Sequence, residues 1–290
     1  MRFGIFYEHQ LPKPWNPGDE AKLFHDALEQ VVLADRLGYD YAWEVEHHFL
    51  EEYSHSSAPE VFLAACATLT KNIRLGHGIR QVIPNYNHPA RTAEGLGTLD
   101  IISRGRLDFG IGEGATRLEL GGFGIPAKEK RALAIEAAEQ IANMMVMAPY
   151  PGYEGRGFSF PCRNIVPKPV QSPHPPIWIG GVGRRRTLRM AAEHAAVWNA
   201  PGGSPAEVAE LSAVLDGHCA DIGRDPAEIR RSVQLRVPAD VAGLVEQVAG
   251  FTAVGVTEII LIVAADPVAQ AERVAALLPE LRGLAPTSPS

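Results

Sequence analysis

Short apolar runs alternate with longer amphipathic ones along almost the whole chain. The run RFGIFY at 2–7 reads as a strand, and after a Pro/Gly-rich loop the apolar positions of 21–37 recur at helical spacing up to Gly38, a helix stop. The unit repeats with strand 39–45 and helix 58–70, strand 72–79 and helix 88–103, strand 106–112 and helix 126–147. Residues 148–176 break the rhythm: they are rich in proline and glycine and long for a connection, which predicts an excursion over the surface or the active site. Strands at 176–181, 195–200, 231–237 and 257–263 then alternate with helices at 184–194, 204–222, 240–253 and 267–282. Eight strands, each followed by a helix, predict a parallel sheet, and eight units in this length fit an α/β (β/α)8 TIM barrel with the Pro/Gly-rich excursion before strand five. A doubly wound sheet is the competing architecture, but no Pro/Gly linker divides the chain into comparable halves. The expectation is one domain over 1–283 and a flexible tail at 284–290.

Composition mostly excludes. With 46% hydrophobic and 21% charged residues the chain has the make-up of a soluble globular protein. Net charge is -7, and the densest basic cluster, GRRRTLR at 183–189, is too short for a nucleic-acid surface, so no nucleic-acid partner is expected. Cys66, Cys162 and Cys219 are widely separated, odd in number and without CxxC spacing, which argues against a disulfide frame or zinc knuckle and for a reducing compartment. No apolar stretch approaches the ~20 residues that span a bilayer, and the start reads as a strand, so the expectation is a cytoplasmic protein without membrane contact.

In a (β/α)8 barrel the chemistry gathers at the C-terminal ends of the strands. The second strand ends in YAWEVEHHFLEEYSHSS at 41–57, dense in histidine and carboxylate beside apolar surface. Alternation along the strand sends His47 and His48 to different sides, and the H-x-H spacing of barrel metal sites is missing, so no metal is expected. A metal-dependent hydrolase using His47, His55 or His77 is an alternative that needs its ligands on one face of adjacent strands. After strand three, Gly76 and Gly78 flank His77 ahead of Ile79 and allow close approach of the backbone to a flat ligand or a strained peptide. Asn85, Tyr86 and Asn87 can hydrogen-bond such a ligand. GIGEGA at 110–115 formally fits a dinucleotide fingerprint, but it lies on the fourth strand and no strand with a terminal acid follows at the right interval, so that reading is rejected. After it comes a flexible glycine-rich segment carrying Glu113, Thr116 and Arg117. In IWIGGVGRRRT at 177–187 a strand runs through Gly180, Gly181, Val182 and Gly183 into a helix whose first turn carries Arg184, Arg185 and Arg186. Free N–H groups, the helix dipole and guanidinium forks make a phosphate site there; the plainer reading is a glycine turn with solvated arginines.

The segments MRFGIFYEHQ, RLGYDYAWEVEHHF, IRLGHGI, NHPARTAEGLGTLDIISRGRLDFGIGEG, VPKPVQSPHPPIWIGG and RRRTLRMAAEHAAVWN together resemble the bacterial luciferase-like flavin-dependent monooxygenase superfamily, most specifically in the first 125 residues. The resemblance implies a (β/α)8 barrel that binds reduced FMN, or the deazaflavin coenzyme F420, at its C-terminal mouth. It implies an enzyme that oxygenates a small organic substrate with O2, and a separate flavin reductase that supplies the reduced flavin. The EHHF run is similar to that of the luciferase α subunit, whose first histidine is catalytic, which makes His47 the acid/base group, with Glu46 and Glu44 either orienting it or facing the helix layer. Gly76 to Ile79 would back the isoalloxazine, often through a non-prolyl cis peptide, and the segment from Gly180 to Thr187 would hold the cofactor phosphate. Phe6, Trp43, Phe49 and Trp178 are candidates for the pocket wall, with Glu113 beside them. Luciferase has an arginine where Glu113 stands, so that phosphate contact does not carry over. The second half, from Trp178 onward, reads more like the F420-dependent branch, which transfers hydride without oxygen. A non-catalytic flavin-binding relative is a further alternative, and retention of His47 argues against it. Luciferase-like barrels commonly dimerise, so a homodimer is expected. Substrate choice would rest on the loops at 8–19, 50–57, 113–125 and 148–176.

Overall fold

Eight parallel strands close on themselves: β1 (Arg2–Tyr7), β2 (Tyr41–Glu44), β3 (Arg74–Gln81), β4 (Leu107–Gly112), β7 (Ile177–Gly180), β8 (Val197–Ala200), β9 (Arg230–Arg236) and β10 (Val256–Ile262), with β10 pairing back onto β1. The computed structural model describes residues 1–238, 241–263 and 267–284, so the tail expected at 284–290 lies, after Leu284, outside the described residues. The closed barrel disposes of the open doubly wound sheet. Around it stand α1 (Asp19–Leu37), α2 (Pro59–Leu69), α3 (Pro89–Ile102), α5 (Lys130–Val146), α6 (Thr187–His194), α7 (Pro205–Asp221), α8 (Ala242–Thr252) and α9 (Pro267–Gly283). None of the described helices is long and apolar enough to cross a membrane.

A short helix not expected from the sequence, α4 (Arg117–Gly122), interrupts the glycine-rich segment after β4. Its start is a Thr-x-x-Glu pair: the Glu119 N–H donates to Thr116 Oγ1 at 3.2 Å and the Thr116 hydroxyl to Glu119 Oε2 at 2.6 Å. That pairing satisfies helix N-terminal groups locally and nucleates a turn despite the neighbouring glycines.

Most of the apolar core lies between sheet and helices. A second, smaller cluster fills the barrel itself, where Tyr41, Trp43, Trp178, Val197 and Ile260 meet. Trp43 and Trp178 cross edge-to-face at 4.4 Å. Below them lies a polar layer: the Trp178 indole N–H donates to Asp108 Oδ1 at 2.9 Å, Arg74 pairs with the same carboxylate, and Arg230 pairs with Glu258. Burial, helped by the Glu258 and Asp108 carboxylates, pushes the Tyr41 phenol up to about 12. Paired charge is what makes buried Asp108 and Glu258 tolerable there.

The excursion forms a hairpin of β5 (Tyr153–Glu154) and β6 (Ser159–Phe160) and lies against the outer helices α3 and α5. Asp100 of α3 accepts the backbone N–H groups of Val170 and Gln171 at 2.8 and 2.9 Å and the Gln171 amide at 2.7 Å, and Lys168 Nζ caps the end of α5 at Met144 O, 2.7 Å. Asp100→Ala should cost about 2–3 kcal/mol, since three donors lose a charged acceptor in a buried place. Limited proteolysis checks this: the first cuts should move into 161–176, whereas an unchanged cleavage pattern would mean that other contacts hold the segment.

Candidate active site

At the C-terminal end of the barrel a cavity of about 290 Å3 opens above the tryptophan floor. Alternation determines what faces it. A Cβ on Gly76 would run into the Trp43 ring, and one on Gly78 would meet Trp43 and Phe6 at 3.3–3.4 Å, so both positions point inward, and Gly76 has no room for a side chain. His77, between them, therefore turns its imidazole outward into the helix layer, and reaches the cavity with its backbone. Burial, then the Arg80 charge, drive its pKa well below the ordinary histidine range, so it is a neutral ring. Its place in the cavity wall is therefore that of backbone. Gly112 sits against Ile79, and Gly110 against the His77 carbonyl, so β3 and β4 present bare backbone to the cavity. The irregularity at this segment is one of pairing: β3 shifts register against β4 between His77 and Arg80, and the cis peptides among the described residues all precede proline.

Phe6, Trp43, Gly78, Ile79, Trp178, Gly180 and Gly181 all line this cavity, and Asn199 and Gln234, not foreseen, add the amides. Asn199 is oriented by the Ser232 hydroxyl, which donates to its Oδ1 at 2.9 Å. A second, small cavity of about 90 Å3 shares Ile111, Gly112 and Gly180 with the first and is lined by Glu113, Arg131, Arg186 and Thr187. A third cleft, of about 690 Å3, shares Phe6 and Gln234 with the first and reaches Tyr53.

The histidine pair divides as alternation requires. His47 Nδ1 lies 3.0 Å from Glu119 Oε1, and the ring stands edge-on to Tyr53 at 5.5 Å. The Glu119 carboxylate is fully buried; burial alone would raise its pKa, but hydrogen bonds from His47, Thr116 and the His48 N–H hold it at about 2. An ionised carboxylate only accepts, so Nδ1 carries a proton, and Nε2 is the nitrogen of this partly exposed ring that remains to exchange one. His48 faces the other way: its Nε2 is 3.1 Å from Glu46 Oε1, and its ring stacks on Tyr86 and meets Phe123.

Three expectations are corrected here. Glu46 does not orient His47; its carboxylate is buried and accepts from Asn87 Nδ2 at 2.8 Å and the Gln81 N–H at 3.0 Å, tying the end of β2 to that of β3. Asn85 is exposed and donates to the Phe123 carbonyl at 3.2 Å, away from the cavity. Phe49, in the left-handed region at φ 65°, packs on Phe123 and Gly122 and leaves half its surface in solvent. In the glycine–arginine segment, α6 starts only at Thr187, so the three arginines occupy the preceding turn. Gly183 lies under Thr187, Val182 and Arg185 are exposed, and Arg184 pairs with Glu210 of α7 at 2.9 Å. Among the described residues no three histidine, cysteine or acidic side chains come together to hold a metal.

A sequence profile of luciferase-like monooxygenases matches residues 1–242. This chain belongs to the luciferase-like monooxygenase family. The resemblance read from its sequence is thereby borne out. The oxygenase component of the flavin-dependent trigonelline monooxygenase of Acinetobacter baylyi is 33% identical over 186 residues, 62% of this chain and 48% of that protein. The chain spans about half the length of the first curated relatives it matches. A monooxygenase structure from Streptomyces bottropensis superposes with a TM-score of 0.77 at 26% identity, covering 97% of this chain and 98% of the other. An F420-dependent secondary alcohol dehydrogenase reaches a TM-score of 0.82 over 97% of this chain and 99% of the other, at 15% identity, a likeness of fold alone.

Within this luciferase-like barrel, the residues that sequence reading missed have in common that their partners are remote. Glu119 lies 72 residues from His47, and Arg131 18 residues from Glu113. The Thr-x-x-Glu signature was the one available signal, and it marks a helix start without saying what the glutamate touches next.

Proposed function

We propose that this luciferase-like chain is the oxygenase of a flavin-dependent system, which binds reduced FMN and uses O2 to oxygenate a small organic substrate, a separate reductase supplying the reduced flavin. The observation that carries the reading is the contiguity of two unlike cavities. One is floored by tryptophan and walled by bare glycine backbone, suited to a flat heterocycle; the other, sharing Ile111, Gly112 and Gly180, offers Arg131, Arg186 and Thr187 to a phosphate. The trigonelline relative, named an oxygenase component, and the Streptomyces structure support the same reading.

The flavin, when bound, would supply the redox chemistry. The chain's own work is otherwise. Trp43 and Trp178 close the barrel below the cavity and exclude water from it. His47 Nε2 takes or returns a proton at the rim, beside Tyr53 and the larger cleft where substrate would lie. Glu119 fixes the tautomer that makes this possible. The second reading is an F420-dependent oxidoreductase, and the acidic Glu113 in the small cavity, where a doubly charged phosphate is less welcome, is the observation in its favour.

Anaerobic titrations with reduced FMN and with reduced F420, followed by admission of air, separate the two. Preference for reduced FMN and oxygen-dependent consumption of it are expected. Preference for F420 with no reaction on aeration would move the assignment to hydride transfer, and binding of neither would end both.

A further inference from the structure

We infer that Glu113 is a built-in counter-ion that competes with the cofactor's phosphate for Arg131, and so sets how much the phosphate contributes to flavin affinity. The inference rests on the flavin reading above. Arg131 of α5 grips Glu113 with both arms of its fork, Nε to Oε2 at 2.9 Å and Nη2 to Oε1 at 2.7 Å. Lys130 Nζ stands 3.4 Å from the same carboxylate and donates to the Gly114 carbonyl at 2.6 Å. The pair forms part of the wall of the 90 Å3 cavity, which Arg186 and Thr187 also line. Among the described residues Arg186 has no carboxylate partner. Of the cavity's two guanidinium groups, Arg131 is thus already neutralised by a carboxylate and Arg186 is not.

A guanidinium that meets a carboxylate through Nε and Nη2 has that two-pronged edge filled, and keeps only its Nη1/Nη2 edge for a phosphate. An incoming phosphate must either displace Glu113 from Arg131 or bind beside a fixed negative charge. Either route subtracts from the attraction of Arg131, Lys130 and Arg186. Side-chain exposures of 27% for Glu113 and 34% for Arg131 leave the pair room to part, since such half-exposed pairs hold only weakly. The carboxylate is charged at neutral pH: burial opposes this, but Arg131 and Lys130 keep its pKa below the ordinary glutamate value.

The probes are reduced FMN and reduced riboflavin, which differ only in the phosphate. Both are titrated anaerobically against the chain by quenching of tryptophan fluorescence, for which Trp43 and Trp178 line the cavity. In the wild-type chain the two dissociation constants should lie within about threefold of each other. Glu113→Gln should tighten reduced FMN about tenfold and leave riboflavin within about twofold, an advantage that shrinks in high salt. Arg131→Gln should weaken FMN alone. A wild-type preference for FMN beyond about a hundredfold, weaker FMN binding in Glu113→Gln, or equal shifts for both ligands would overturn the inference and leave the flavin reading standing. Binding of neither ligand would remove both.

Discussion

His47→Gln should lower turnover by about 10²–10⁴-fold while leaving the affinity for reduced flavin within about twofold, the signature of a proton-transfer group that does not hold the cofactor. The histidine is at the rim, its Nε2 free of hydrogen bonds among the described residues, and it is not part of the wall of the flavin-sized cavity. Removing it should therefore spare binding. Glutamine keeps about the size and a polar end but is neither an acid nor a base at neutral pH. Glu119→Gln tests the other half of the pair. The amide can offer an oxygen to Nδ1–H as before, or its NH2 to a bare Nδ1, so the tautomer is no longer imposed. A loss on the order of tenfold or more is expected, together with a change in the imidazole nitrogen shifts of His47 by NMR from the Nδ1–H form toward a mixture. A merely structural role for Glu119 would lower stability without moving the tautomer. Wild-type turnover in His47→Gln would end the assignment.

The barrel could be read from the chain because its signals are local. Each strand and helix announces itself within a dozen residues, through period, glycine stop or proline start, and eight such units allow few arrangements. The inward face was partly accessible: Phe6, Trp43 and Trp178, named as candidates for the pocket wall, stand on strands and line the cavity together with Gly78. What failed were judgements of side-chain partnership. Glu46 adjoins His47 in sequence, but neighbours on an extended chain point apart, and its carboxylate ends on Asn87 and Gln81. The true partner, Glu119, is positioned by a helix of six residues in a stretch dominated by glycine. Asn85 and Phe49 lie on loops, where no period indicates which way a side chain turns. The arginines at 184–186 were placed one turn too deep in α6, and only the start at Thr187 reveals that Arg186 reaches the small cavity while Arg184 goes to α7.

Trp43→Ala should be the most damaging single change to the fold, by about 3–5 kcal/mol. The indole is almost fully buried in the barrel, edge-on to Trp178 at 4.4 Å and beside Tyr41 at 5.6 Å. The neighbouring strands are shaped around it, for Gly76 and Gly4 both lie where a methyl group would strike its ring or its immediate surroundings. The void would also merge with the cavity above, so flavin affinity should fall with stability. Trp43→Phe should be much milder, because the buried indole nitrogen has no hydrogen-bond partner to lose. The complementary change makes the cause separable. Gly76→Ala in the wild-type background presses a methyl into the ring and should cost about 1–3 kcal/mol, whereas in the Trp43→Ala background it enters the vacated space and should be neutral or better. Urea denaturation of the four proteins gives the coupling between the two positions directly, since residues in contact do not add. Additive costs would mean that the strands tolerate the methyl by moving, and that Trp43 rests on its aromatic neighbours alone. A strong coupling would show that position 76 is held to glycine by the Trp43 ring in front of it, so that strand β3 and the aromatic floor of the cavity are built to each other's shape.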